Sequence, residues 1–186
     1  MLAGPVLSCY LRRILIPILS VLVAGCNRLP EWYPPPEQRQ PLTIPEPPPG
    51  SIMINMNDID APEHFVKDIS PKLEGTTWRW TQKRPTLKIL LIKTRDLKFV
   101  ADFTIWEGTM AQTGAVTISF FVDQKLLDKI RYDTPGYKHF EKPVDPGWLQ
   151  TATETIVSAE IDKLYVDPGD KATLGFILTR MGFERQ

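Results

Sequence analysis

The chain has two cysteines and two histidines among its 186 residues, equal numbers of acidic and basic side chains, and no apolar run of the roughly 20 residues that a membrane-spanning helix needs. Each lack closes a class of protein. Cys9 and Cys26 cannot build a disulfide-stapled scaffold. His64 and His139 stand far apart in the sequence, so a zinc site is short of ligands. The 22 basic residues are matched by 22 acidic ones, and the two that precede Cys26 are basic, which leaves the rest of the chain slightly acidic and without the cationic surplus of a nucleic-acid binder. No serine sits in GxSxG, and HExxH and a glycine-rich phosphate loop are both missing. Catalysis by two carboxylates needs no motif, since such pairs are defined by distance. The expectation is nevertheless a protein that is not an enzyme.

What is present falls into three stretches. Arg12 and Arg13 precede an apolar segment, residues 14–24, that is too short to span a bilayer, and the small residues Ala24 and Gly25 follow it. That order, positive then apolar then small, is the pattern of a secretory signal. The tetrad Val23-Ala24-Gly25-Cys26 resembles the lipobox of bacterial lipoproteins. The resemblance implies a signal peptide over 1–25, diacylglyceryl on the Cys26 thiol and an acylated new amino terminus. Two or more acyl chains anchor stably where one is marginal. Asn27, a residue other than aspartate, implies the outer membrane if the cell has two membranes.

Half of the 18 prolines fall between Pro30 and Pro49. Residues 26–50 therefore read as an extended tether, reaching about 70 Å at the polyproline II rise. Trp32 and Tyr33 lie near enough to the anchor to rest among lipid headgroups.

From Ser51 the character changes to short alternating segments bounded by turn residues, an all-β pattern. In "LKFVADFTIW" (97–106) Leu97, Phe99, Ala101, Phe103 and Ile105 share a face, and in "AVTISFFVD" (115–123) Val116, Ile118, Phe120 and Val122 do. "EGTMAQTGA" reads as the connection between them, and "VDQKLL" as a tight hairpin. Further strands are expected over 51–55, 76–81, 86–92, 125–132, 137–144, 153–162, 163–166 and 172–183, with a short helical turn within 58–72. About nine strands in residues 51–186 predict an antiparallel two-sheet sandwich.

The succession "WRWT", "FVADFTIW", "VTISFFVDQKLL", "IRYDTPGYKHFEKPV", "VSAEIDKLYV" and "LGFILTRMGF" resembles the galactose-binding-like jelly-roll domains of uncharacterised bacterial lipoproteins, over nearly all of residues 74–183. The resemblance implies a non-catalytic sandwich, often a glycan-binding module, and brings no catalytic residues with it. Sugars stack on exposed rings. Trp106, of opposite parity to the apolar stripe of its strand, and Trp148, in a turn, are the candidate platforms, with Tyr137 and His139 beside them in "YDTPGYKHFEK". Trp78 and Trp80 are expected to share the core face of their strand, opposite Arg79. Asp58, Asp60 and Glu63, with Asn57, could supply oxygens to a structural calcium, and "DPGD" (167–170) is a second such loop. The expected partners are a membrane, through the anchor, and a glycan or envelope protein. A structural or assembly lipoprotein that docks another protein is the rival reading.

Overall fold

The computed structural model describes residues 52–186. The expected lipidation site Cys26, the expected signal segment and the expected tether lie outside the described residues. Among the described residues no helix is long and apolar enough to cross a membrane.

Eleven strands form in chain order: β1 (Met53–Asn55), β2 (Phe65–Ile69), β3 (Arg79–Leu90), β4 (Leu97–Ile105), β5 (Val116–Val122), β6 (Lys125–Tyr132), β7 (Gly136–Pro143), β8 (Glu154–Ile161), β9 (Tyr165–Val166), β10 (Thr173–Leu174) and β11 (Ile177–Arg185). One sheet runs β1-β11-β4-β7 and the other β2-β3-β8-β5-β6, and every pairing is antiparallel. Set aside the short β2, β9 and β10, and the remaining strands cross from one sheet to the other at every step except the β5–β6 hairpin, in the order of a double-sheet jelly roll. The chain is an all-β sandwich, as the alternating pattern predicts.

β3 joins the two sheets. Its Arg79 and Trp80 pair with Leu178 and Ile177 of β11, while its residues 86–90 pair with β8. Sequence reading predicts two strands here, over 76–81 and 86–92, and a proline cannot donate to a ladder. Pro85 falls between the two paired stretches, so no ladder bond is lost and the strand runs through. The opposite correction applies to 172–183. That segment breaks into β10 and β11 at Gly175, where a Cβ would stand 2.3 Å from the Gln82 carbonyl oxygen of β3. The glycine lets its N–H reach the Thr81 carbonyl at 2.7 Å, and Thr81 Oγ1 donates to the Phe176 carbonyl at 2.7 Å. "EGTMAQT" is a helix rather than an irregular connection: α1 spans Glu107–Thr113, and Gly114 at φ 71° ends it.

The core lies between the sheets and follows the period-two stripes. Leu97, Phe99, Ala101, Phe103 and Ile105 of β4 and Val116, Ile118, Phe120 and Val122 of β5 are all buried. Aromatic rings carry the contact from sheet to sheet. Phe120 stacks flat on Phe140 of β7 with centroids 3.7 Å apart, and Phe99 touches Phe120, Phe140 and Phe183. Burial of each such ring is worth about 2–3 kcal/mol.

Among the described residues one cation is buried as well. Arg79 donates from Nε to the Met56 carbonyl at 2.9 Å and from Nη1 to the Pro71 carbonyl, and lies 5.2 Å over the Phe65 ring. Its guanidinium thereby ties the end of β1 to the turn after β2. Burial pulls its pKa down from the ordinary arginine value.

Candidate binding site

The burial of Arg79 reverses the expected parity of β3. Arg79 and Thr81 point inward, and Trp78 and Trp80 emerge half-buried on the other face. The sequence expectation that both tryptophans pack in the core is therefore corrected. Backbone bonds to Met56, Ser70 and Pro71 give Arg79 the partners that a buried cation needs.

The freed rings extend into a row. Trp78 meets Trp80 edge to face at 5.8 Å, Trp80 meets Trp106 at 5.9 Å, and Trp106 meets Tyr165 of β9 at 4.7 Å. All four rings are half-buried. Gly75 and Gly108 lie so close under Trp78 and Trp106 that a Cβ on either would fall within 2.5 Å of a ring atom. Small residues on one side and edge contacts along the row hold the rings in fixed orientations.

Beside this row opens a cleft of about 300 Å³, lined by Trp80 and Gln82 of β3, Asp68 and Ile69 of β2, Ser70 and Leu174. Its shape comes from a bulge. The β2–β3 register shifts on both sides of Lys67, and Asp68 takes φ 61°, a conformation that aspartate tolerates better than most residues. The Asp68 carboxylate then accepts from the Arg84 N–H at 2.8 Å. One aromatic wall, an amide, a carboxylate and a hydroxyl around a shallow cleft suit a ligand with apolar C–H faces and many hydroxyl groups.

Tyr137 and His139 lie elsewhere, on the outer face of the other sheet. As the strand pattern predicts, they alternate with the core residue Phe140. The structure brings both to Asp102 of β4, a residue that sequence reading did not single out. Asp102, 5% exposed, receives His139 Nδ1 at 2.5 Å, Arg180 Nε of β11 and the Tyr137 hydroxyl. Register places Arg180, Asp102 and His139 side by side across three strands. Burial works to raise the Asp102 pKa, but the bonds from Arg180, His139 and Tyr137 together outweigh it and hold the carboxyl below its ordinary value. The same hydrogen bond to Asp102 raises His139 and Tyr137 above theirs. Glu141 and Lys98 close the outer side at 2.6 Å, and Glu184 bonds Arg180 at 3.0 Å. Every charge in this cluster already has a partner.

Trp148 packs on the core from a one-turn helix capped by Asp145, and Lys125 Nζ stands 5.3 Å over its ring. Trp106 joins Trp80 and Tyr165 in the aromatic row, so of the predicted ligand residues it alone lies there. Asp58 is engaged by its own turn, accepting from the backbone N–H and the side-chain amide of Asn55 at 3.1 and 3.0 Å. Asp60 and Glu63 are exposed, and among the described residues no group of three or more histidine, cysteine or carboxylate side chains converges as a metal site would. In the 167–170 loop Asp167 accepts from the Gly169 N–H and Asp170 from that of Ala172, so these carboxylates also serve their turn.

Comparison with known proteins adds little. No family model and no curated protein matches the chain. Among solved structures, a family GH115 4-O-methyl-α-glucuronidase with specificity for decorated arabinogalactans is similar over 74% of this chain and 18% of its own, at 10% identity and a TM-score of 0.42. The chain thus matches less than a fifth of that protein's length, and nothing about function follows from a likeness at this level.

Proposed function

We propose that this chain is a lipid-anchored envelope protein whose sandwich is a non-catalytic module for holding a glycan. The observation that carries the reading is the row Trp78, Trp80, Trp106 and Tyr165 beside the cleft at Trp80. Rings fixed by neighbouring glycines and edge contacts lose little freedom on binding, and the cleft supplies polar groups to orient hydroxyls. The module is a binder rather than an enzyme on this reading. Among the described residues the histidine–carboxylate contacts are those of His139 with Asp102 and Glu141, both spent on neighbouring strands, and the carboxylate of the cleft, Asp68, is bonded to backbone. The anchor rests on Arg12, Arg13 and the Val23–Cys26 tetrad. In a cell with two membranes the expected residence is the outer one.

Two measurements test the halves separately. Growth with a palmitate analogue should label the chain and Cys26→Ser should abolish the label; an unlabelled wild-type chain would sink the anchor. For the site, titration with envelope and plant polysaccharide fragments should change tryptophan fluorescence saturably, and Trp80→Ala should weaken binding about tenfold or more, a loss of about 1.4 kcal/mol. A folded protein that binds such fragments equally well without the Trp80 ring would place the site elsewhere. One that binds none would favour a protein partner.

A further inference from the structure

The outward face of β3 does not stop at the cleft. Trp80 and Gln82 line it, and the next two residues of the same parity, Arg84 and Thr86, line a second groove of about 350 Å³ on the outer face of the β2-β3-β8-β5-β6 sheet. The floor of that groove is a cross-strand row set by register: Lys67 of β2 opposite Thr86 of β3, Thr86 opposite Ser158 of β8, and Ser158 opposite Phe121 of β5. Two cations and two hydroxyls thus stand together on one end of a face whose other end is aromatic.

The cations differ in preparation. The Arg84 guanidinium lies 4.3 Å over the Phe121 ring, and its Nε donates to Ser158 Oγ at 3.1 Å. Glu160 Oε2 makes a loose ion pair with Nη1 at 3.6 Å, longer than a hydrogen bond, and the remaining N–H groups of the fork have no partner among the described residues. A guanidinium held over a ring with free N–H groups is pre-organised for a planar oxyanion. Lys67 is exposed and has no carboxylate within ion-pair distance among the described residues.

We infer that the ligand is an acidic saccharide chain lying along β3, its apolar sugar faces on the Trp80 row and its carboxylates on Arg84 and Lys67. This rests on the glycan reading of the Trp80 cleft. At a strand rise of about 3.3 Å per residue, the four steps from Trp80 to Arg84 span at most about 13 Å, which one extended oligosaccharide covers. A neutral chain would leave Lys67 and the open edge of Arg84 unused, whereas uronate carboxylates match the fork two oxygens to two N–H groups.

The experiment uses the detergent-solubilised full chain and uronate-bearing oligosaccharides, each paired with its carboxyl-reduced form. The expected result is that the acidic member of a pair binds about tenfold or more tightly, weakening as salt rises. Lys67→Gln with Arg84→Gln should bring it down to the affinity of the reduced form while the reduced form binds as before, with an unchanged melting temperature showing that the fold is intact. Equal affinities within every pair overturn the inference and leave the glycan reading standing. A preference for acid that survives the double substitution overturns it too, since the charge would be read elsewhere. Failure of every member to bind a folded chain overturns both.

Discussion

The two outer faces of the sandwich hold similar side chains to different ends. On the β1-β11-β4-β7 sheet, Asp102 gathers Arg180, His139 and Tyr137, Lys98 bridges Glu141 and Glu184, and donors and acceptors are spent on one another. On the β2-β3-β8-β5-β6 sheet, Lys67 has no carboxylate partner among the described residues, and Arg84, held by a ring, a hydroxyl and an ion pair to Glu160 at 3.6 Å, keeps part of its fork open. The first arrangement clamps three strands together. The second keeps charge in readiness for something outside the chain. Polar residues on a sheet surface therefore point to binding only when their partners are counted, and a histidine beside an aspartate is as readily mortar as machinery.

The largest expected effect is on the closed face. Asp102→Ala should destabilise the domain by about 3 kcal/mol in urea denaturation, because it strands the Arg180 and His139 donors beside a site that had been buried. Arg84→Gln on the open face should cost less than about 1 kcal/mol in the same assay, as partly exposed ion pairs do. If the two costs were alike, the contrast between a clamp and a waiting groove would fail. If Arg84 cost more, Arg84 would be structural and the acidic-ligand inference would lose its main support.

Much of this fold was legible. The stripes of β4 and β5 predict buried residues that are all buried, and the hairpin between β5 and β6 falls where Asp123 and Gln124 take φ of 45° and 67°. The site was less so, for three physical reasons. Arg79 looked like the solvent residue between two tryptophans because main-chain carbonyls, its actual partners, leave no mark in a sequence. Asp102 has the outward parity of β4, and its burial follows from cross-strand neighbours on β7 and β11 that are 37 and 78 residues away. Lys67 and Arg84 come together only through a shift of register between β2 and β3, which periodicity does not reveal. Local alternation marks the inward stripes where apolar residues carry it, as in β4 and β5. It does not say which outward residues meet.

The smallest effect sharpens the contrast most, because it has a sign in pH. His139 is bonded by Asp102 and faced by Glu141, whose charge is shared with Lys98, while Arg180 and Tyr137 compete for the same aspartate. The hydrogen bond to Asp102 chiefly, with Glu141 adding to it, raises the folded-state pKa of His139 above its ordinary value. The protonated ring therefore binds the folded state better. Its contribution to stability is fully present below the unfolded histidine value of about 6.5 and is lost as pH rises through the higher folded value. On the acid side it ends where Asp102, held below the usual carboxylate range, takes up its proton. Melting curves of wild type and His139→Gln should accordingly differ most near pH 5 and converge in alkali. No histidine lines the β3 groove, so retention of an acidic saccharide should stay level over the interval in which the His139 contribution fades. A melting difference that grew with pH would mean that His139 is gripped as a neutral ring, and a retention curve that followed the melting difference would mean that the two faces work as one.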